Sequence, residues 1–274
     1  KFKTSNVTSM AYMFANCILL DELDLSNFDT RKVISTSAMF SGMSKVKKII
    51  LSPNFQTSNV TNMNSMFNNC NLLQEIDLSS FDTRKVTDFT YMFNTCTSLT
   101  SLDVSTFDTS EGINMASMFS GMLNLTNLNL GHNFNTSNVV TMHNMFFNDR
   151  KITHLDLSQF NTSKVTQMSN MFSHMFALEE LNLSSFDTSN VTTMSRMFHN
   201  TGKIKNLDLS SFNTSKVDNM NQMFNSASGL IDLKFGPNFD TSNVTDMEMM
   251  FFNVNSITEL YLSTFNNSNV KKLS

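Results

Sequence analysis

Residues 178–198, LEELNLSSFDTSNVTTMSRMF, contain the complete pattern from which the fold of this chain can be predicted. It begins with Leu-x-x-Leu-x-Leu, continues through Phe-Asp-Thr-Ser, and ends with Val-x-x-Met-x-x-Met-Phe. Related versions of the stretch recur along nearly all of the 274 residues. A fixed period of about 20–50 residues is typical of repeat proteins, in which stacked units bury one continuous core.

The spacing of the dipeptide Met-Phe gives the length of the repeat. Ten pairs occur, spaced 26 or 27 residues apart, with their methionines at positions 13, 39, 66, 92, 118, 145, 171, 197, 223 and 250. The longer spacing arises where Leu-Ser-x-Phe gains one residue, as in Ser52–Phe55, Gly131–Phe134 and Gly236–Phe239. Extra turn-forming residues at one fixed place indicate a surface loop between two regular elements.

The recurring Met and Phe positions explain the composition, and the composition excludes several classes of protein. The chain has 22 Met and 26 Phe but only 15% charged residues and a formal net charge of −4. It is too aromatic for a disordered chain, and it lacks the basic excess of a nucleic-acid binder. No apolar run approaches the ~20 residues of a membrane span. Three cysteines are too few for a disulfide scaffold.

Two hydrophobic periods alternate within each repeat. The end of Leu-x-x-Leu-x-Leu alternates apolar and polar residues, which predicts a strand with one buried face. Val191, Met194, Met197 and Phe198 are related by spacings of three and four, which place them on one stripe of a helix. The preceding Phe-Asp-Thr-Ser reads as the helix N-cap. The prediction is an α/β solenoid of the leucine-rich-repeat type, with about ten strand-turn-helix units of 26–27 residues and a parallel sheet on one face.

A threonine recurs in the Phe-Asp-Thr-Ser segment of every complete repeat, and we interpret this column as a hydroxyl ladder. It is expected to cap the helices and to tie neighbouring turns together. The column comprises Thr4, Thr30, Thr57, Thr83, Thr109, Thr136, Thr162, Thr188, Thr214 and Thr241.

This repeated motif, from Leu-x-x-Leu-x-Leu to Met-Phe, resembles the 26-residue leucine-rich-type repeat of bacterial surface proteins. These are the BspA-like proteins and the mycoplasma- and Listeria-type repeat proteins. The resemblance extends from Phe2 to Leu273. It implies a leucine-rich-repeat fold, an extracellular or cell-surface location, and a role in adhesion or recognition. It implies no catalytic residues.

The domain prediction is a single solenoid over residues 1–274. The sequence begins inside one repeat and stops inside another, so we expect a piece of a longer protein. Solenoid cores need caps at their ends, and stacking of the ends on other copies is the alternative.

Four positions depart from the repeat. Gly112 replaces the Val of the helical stripe, with Ile113 as a possible substitute for it. Thr36 and Phe89 replace the first Met, and Ile50 stands where the strand usually exposes Asp or Asn. Local irregularity is the favoured interpretation, and partner docking is the alternative.

Groups that could carry chemistry are sparse. The five histidines occupy different positions within their repeats, so we do not expect stacking to gather them into a ligand set. No catalytic, phosphate-binding or dinucleotide motif is present, and we predict neither enzymatic activity nor a cofactor nor a metal site. Cys17, Cys70 and Cys96 share a position with Met in other repeats, which indicates an apolar, buried site; pairing of Cys70 with Cys96 stays open. The Met columns are interpreted as core.

Polar strand positions form the candidate binding face. Unlike the core columns, they vary from repeat to repeat, as a recognition surface would, although a solvated face is an equal alternative. The candidate residues are Glu22, Asp24, Glu75, Asp77, Asp103, Asn129, His154, Asp156, Glu180, Asn182, Asp208, Asp232 and Tyr261.

The functional prediction is a non-enzymatic, secreted or cell-surface protein that mediates adhesion or recognition of a protein or glycan partner through its strand face. The alternative is a structural spacer or filament subunit that assembles with itself through its ends. Neither hypothesis includes a nucleic-acid partner or a membrane span in this segment.

Overall fold

The computed structural model describes residues 3–273 and divides the chain into two compact units, Lys1–Asn138 (unit 1) and Val139–Ser274 (unit 2). Eight short strands lie within the described residues. Those of unit 1 are β1 (Glu22–Leu25), β2 (Lys48–Leu51), β3 (Ser101–Asp103) and β4 (Asn127–Asn129); those of unit 2 are β5 (His154–Asp156), β6 (Glu180–Asn182), β7 (Asn206–Leu209) and β8 (Asp232–Phe235). They pair in parallel as β1–β2, β3–β4, β5–β6 and β7–β8, which confirms the predicted parallel strands.

Alternation along each strand separates core from surface. In β7 the side chains of Leu207 and Leu209 are buried, whereas those of Asn206 and Asp208 are exposed. Successive side chains of a strand point to opposite faces, so the Leu columns enter the core and the polar columns face solvent.

A second parallel ladder joins the same repeats after the Val column. It consists of single bridges between equivalent residues of successive repeats. These residues are Ser9, Ser35, Asn62, Asp88 and Asn114 in unit 1, and Thr141, Gln167, Thr193, Asn219, Asp246 and Lys272 in unit 2.

The predicted helix is wrong, because residues 3–273 contain none. Backbone amides in the Met-x-x-Met-Phe segment alternate between two kinds of partner. Met197 donates to the carbonyl of Met194 at 3.1 Å and so closes a tight turn. The next amide, that of Phe198, donates to Met223 of the following repeat at 2.9 Å. Inter-repeat bonds therefore take the amides that a helix would use internally.

Left-handed backbone at two positions per repeat makes these turns possible. Arg196 has φ 56° and Asn200 has φ 59°, and the equivalent pair recurs in other repeats. A right-handed helix needs negative φ throughout, and Asn is one of the few non-glycine residues that visit positive φ readily. Successive tight turns also return a side chain to the same side every three or four residues, so they satisfy the apolar spacing that suggested a helix.

The Thr column ties neighbouring repeats together, as predicted, but it caps no helix. The Thr188 hydroxyl donates to the carbonyl of Asn213 at 2.8 Å and accepts from the amide of Asn213 at 2.9 Å. Asp187 accepts from the amide of Ser189 at 2.9 Å, so the predicted cap is a turn closed by its own side chain.

Replacing Thr188 by Val is expected to destabilise the protein by about 1–3 kcal/mol, because the half-buried amide and carbonyl of Asn213 both lose their buried hydroxyl partner while the volume is unchanged. Urea unfolding followed by circular dichroism measures the loss. Thr192→Val is the matched control, since the hydroxyl of Thr192 is exposed. Equal losses in the two variants would contradict the ladder's contribution.

The core is built from aligned columns. Val191, Met194, Met197 and Phe198 are all fully buried, as the Met columns predicted. Phe198 stacks between Phe172 and Phe224, with ring centroids 5.7 and 5.6 Å apart. Equivalent residues of successive repeats stack on one another, so each repeat covers the apolar face of its neighbour.

Two of the departures compensate each other. The amide of Gly112 closes the turn on Thr109 at 2.8 Å, as Val does elsewhere, and Ile113 is half exposed and does not replace it. A Cβ on Gly112 would lie 2.9 Å from the carbonyl oxygen of Thr109 in its own turn, and 3.2 and 3.3 Å from the side chains of Met115 and Phe89. The large Phe89 therefore fills the space that the missing Val side chain leaves.

We therefore expect Gly112→Val to cost about 1–3 kcal/mol through overpacking against Phe89. Adding Phe89→Met, which restores the usual residue of that column, is expected to recover most of the loss. A double-mutant cycle by urea unfolding measures the coupling. Additive losses would show that the two positions do not share this space.

Candidate functional site

All thirteen predicted face residues are exposed. They belong to two columns, here called the first and second columns of the strand face. The first column is Glu22, Lys48, Glu75, Ser101, Asn127, His154, Glu180, Asn206, Asp232 and Glu259. The second column is Asp24, Ile50, Asp77, Asp103, Asn129, Asp156, Asn182, Asp208, Lys234 and Tyr261. Parallel pairing brings equivalent residues side by side, for example His154 with Glu180 and Asp156 with Asn182.

The second column has a structural role that the sequence analysis missed. Each of its acidic side chains, and that of Asn182, accepts a hydrogen bond from the amide of the serine two residues later. For Asp156 and Ser158 the distance is 3.0 Å, and for Asp208 and Ser210 it is 2.9 Å. The same bond is made by Asp24, Asp77 and Asp103. The recurring Asp-x-Ser spacing was the available signal.

These bonds favour the ionised form of the aspartates in the second column. Hydrogen bonds from Ser158 lower the pKa of Asp156, and those from Ser210 lower the pKa of Asp208. Hydrogen bonds from serine likewise lower the pKa values of Asp24, Asp77 and Asp103. A carboxylate whose pKa is lower in the folded state stabilises the fold above the unfolded pKa of about 3.9.

That stabilisation is lost as pH falls through about 3.9 toward the lower folded values, because the unfolded chain then binds more protons. We expect the urea midpoint to hold from pH 7 to about pH 5 and to drop below about pH 4. Asp156→Asn together with Asp208→Asn should flatten the drop in unit 2, because Asn182 shows that an amide oxygen accepts the same bond at 3.1 Å. An unchanged pH profile in this variant would refute the assignment.

In two of the three repeats with the longer loop, the second-column residue is Ile50 or Lys234, and neither side chain can accept this bond. In the first of them, the hydroxyl of Ser52 accepts from the amide of Asn54 at 2.9 Å and closes a turn two residues further along the chain. The second-column position is then free to carry Ile50, or Lys234 in the equivalent repeat of unit 2. The departure at Ile50 follows from the loop insertion.

An exposed ion pair and an imidazole–carboxylate contact link the first column across strands. Lys48 Nζ lies 3.4 Å from Glu75 Oε1, and His154 Nε2 lies 3.6 Å from Glu180 Oε2. Such exposed pairs contribute little to stability, so these side chains can exchange partners at low cost.

Shallow grooves follow the strand face. One of ≈ 580 Å³ in unit 1 is lined by Ile50 and Pro53 and by the charged side chains of Lys48, Glu75 and Asp77. In unit 2, a groove of ≈ 290 Å³ lies along β5 and β6. Another, of ≈ 470 Å³, is lined by the predicted site residue Glu180 and by residues outside the predicted set, among them Glu179, Lys203 and Lys205.

Charge is segregated onto this face. In each unit, the two columns hold five carboxylic acids and one lysine. The whole chain has a formal net charge of only −4, so the residues outside the two columns are net positive.

The arrangement of the histidines differs in part from the prediction that stacking would not bring them together. The structure brings two of the five histidines together, since the ring centroids of His174 and His199 are 4.9 Å apart. Among residues 3–273, no group of three or more His, Cys, Asp or Glu side chains is arranged to hold a metal ion.

All three cysteines are free thiols. Cys70 and Cys96 are buried, as their exchange with Met predicted, whereas Cys17 is half exposed. Each buried thiol donates to a backbone carbonyl at 3.2 Å, Cys70 to Phe40 and Cys96 to Phe67. Burial raises the pKa of Cys70 to about 12 and that of Cys96 well above its usual value, so both are poor nucleophiles.

Comparison with protein families identifies this repeat. The sequence matches the family described as "Mycoplasma protein of unknown function, DUF285" over residues 1–52, 48–151, 123–234 and 231–274. The chain belongs to the DUF285 family. The overlapping matches cover the DUF285 chain from end to end, as expected for a repeated motif. No curated protein matches its sequence significantly.

The fold of the DUF285 chain is similar to those of solved bacterial leucine-rich repeat proteins. One from Bacteroides ovatus ATCC 8483 has a TM-score of 0.54 and 14% identity, covering 91% of this chain and 68% of that chain. One from Eubacterium ventriosum ATCC 27560 has a TM-score of 0.45 and 14% identity, covering 96% and 78%. A leucine rich cell surface protein from Faecalibacterium prausnitzii A2-165 has a TM-score of 0.41 and 15% identity, covering 87% and 82%.

The resemblance noted from the sequence is confirmed by the DUF285 match and by the Bacteroides ovatus structure. The likeness at this identity concerns the fold, which is a leucine-rich-repeat-like solenoid. Within residues 3–273, no helix is long and apolar enough to cross a membrane.

Proposed function

We propose that the DUF285 chain is a non-enzymatic cell-surface repeat protein that recognises a protein or glycan partner through its strand face. The core columns are nearly invariant, while the exposed columns differ from repeat to repeat. The surface location and the adhesive role rest on the resemblance to bacterial surface repeats.

The observation that carries the proposal is the concentration of negative charge on a grooved face. In each unit, five acids and one lysine stand in the two columns, while the rest of the chain is net positive. Complementary potentials steer encounter and discriminate between partners. The face therefore favours a partner that presents a basic contact surface, with Ile50 offering an apolar contact inside the groove of unit 1.

A solenoid with rows of like groups also supports a binding role over catalysis. An active site needs unlike groups that converge on one point. On the strand face, the acids pair with lysine, amide, isoleucine or histidine side chains in a row, and every second-column acid is engaged in a turn.

The test is a solid-phase screen of matrix proteins and glycans, repeated at low and high salt. Glu22→Lys with Glu75→Lys reverses two first-column charges without touching an Asp-x-Ser turn. We expect at least about a tenfold loss of affinity for the partners found, and weaker binding at high salt. Glu111→Lys, an exposed acid outside the two columns, is the matched control.

Binding that survives the double reversal would remove the strand face from the proposal. A screen without any partner, combined with end-to-end particles in electron microscopy, would favour the spacer or filament alternative.

A further inference from the structure

A pair of histidines in unit 2 lies outside the strand face. His174 and His199 belong to neighbouring repeats, and both are half buried. His174 has φ 62°, one of the left-handed positions of the tight turns. The Nε2 atoms of both rings lie 3.1 Å from the same atom, Nδ2 of Asn200. Two imidazole nitrogens thus converge on one point.

The hydrogen bonds assign the tautomers of both rings. His199 Nδ1 lies 3.0 Å from the carbonyl of Asn225, which can only accept, so Nδ1 carries the hydrogen. The lone pair is then on Nε2, where the Asn200 amide donates to it. His174 Nε2 accepts from the same amide, so its Nδ1 donates to the hydroxyl of Ser173 at 2.8 Å.

We propose that His174 and His199 form a binding site for a divalent transition-metal ion that prefers imidazole, such as Zn²⁺ or Ni²⁺. Both Nε2 lone pairs supply ligands, and the Asn200 side chain yields its position or turns its carbonyl oxygen toward the ion. Imidazole is the commonest metal ligand in proteins, and it suits zinc and nickel.

The surroundings match those of metal-binding histidines. A ligating histidine usually donates its other N–H to a carbonyl or another acceptor, which orients the ring and strengthens the ligand. Asn225 and Ser173 have that role here. Phe147 and Phe176 pack edge-on against His174, with ring centroids 5.3 and 5.7 Å away, and hold it in place.

Electrostatics keep the pair in the form that binds metal but limit its affinity. Burial lowers the pKa of His174, with further lowering from His199, Arg150 and Arg196. Burial also lowers the pKa of His199, against a raising hydrogen bond from Asn225. Neutral imidazoles are therefore available at pH 7. The two guanidinium groups, those of Arg150 and Arg196, oppose a bound cation and weaken its binding.

Isothermal titration of the whole chain with ZnCl₂, and separately with NiCl₂, tests the site. We expect one saturable site and at least about a tenfold loss of affinity in His174→Ala and in His199→Ala. His154→Ala is the matched control, since this histidine lies on the strand face beside Glu180, and it should leave the affinity unchanged. Circular dichroism checks that each variant is folded.

A gain-of-affinity variant keeps the proposal independent of folding losses. Asn200→Asp places a carboxylate between the two Nε2 atoms and should tighten Zn²⁺ binding. No saturable binding below millimolar Zn²⁺ or Ni²⁺ would overturn the proposal. Binding that persists unchanged in the variant lacking both histidines would overturn it as well.

Discussion

Replacing Phe198 by Ala is expected to lower the free energy of unfolding by about 3–5 kcal/mol. Phe198 is fully buried in unit 2 and stacks on Phe172 and Phe224. Removing the ring leaves a cavity between two aromatic neighbours whose heights are set by their own repeats, so collapse cannot fill it. Urea unfolding followed by circular dichroism measures the change.

Phe252→Ala is the control for this substitution, because Phe252 lies in the same unit with 54% of its surface exposed. We expect it to cost less than about 1 kcal/mol. If Phe198→Ala cost no more than Phe252→Ala, the stacked column would not be the main source of stability between repeats.

Replacing Gly131 by Ala is expected to cost about 2–5 kcal/mol, for two independent reasons. Gly131 has φ 72°, where a Cβ costs about 1–2 kcal/mol. The added Cβ would also lie 2.5 Å from the backbone oxygen of Ser105 in the neighbouring repeat, and this collision adds about 1–3 kcal/mol. Glycine is needed here because the longer loop passes close to the preceding repeat.

Gly42→Ala separates the two reasons. Gly42 has a similar φ of 75°, but its added Cβ would meet first the amide oxygen of the Asn16 side chain, which can move. We expect a loss of only about 1–2 kcal/mol, from the backbone conformation alone. Equal losses at Gly42 and Gly131, measured by the same urea unfolding, would show that the approach to Ser105 costs nothing.

Much of the fold was predictable because equivalent residues recur in every repeat. The Phe, Met and Leu columns recur at fixed spacing, and equivalent residues of stacked repeats must lie side by side. The backbone conformation of the Met-x-x-Met-Phe segment was not predictable in this way. Val191, Met194, Met197 and Phe198 fit a helical stripe, but they fit consecutive tight turns equally well. The choice depends on amides such as that of Phe198, which bond to the next repeat.

The candidate site was predicted in its positions and missed in part of its chemistry. Exposure of the two columns followed from alternation with buried Leu. The turn role of Asp156 and its equivalents depends on a backbone amide two residues away, which a column-by-column comparison overlooks. The meeting of His174 and His199 was also missed, since they lie three and two residues after their repeat's second Met, Met171 and Met197.

The period, the membership of the core, the loop insertions and the exposed columns can be read from the amino-acid sequence, because each of these is a pattern repeated along the chain. Tertiary structure decided the conformation of the Met-x-x-Met-Phe segment and the convergence of the histidines. Both depend on hydrogen bonds and contacts between residues about 26 positions apart, which form only when the repeats stack.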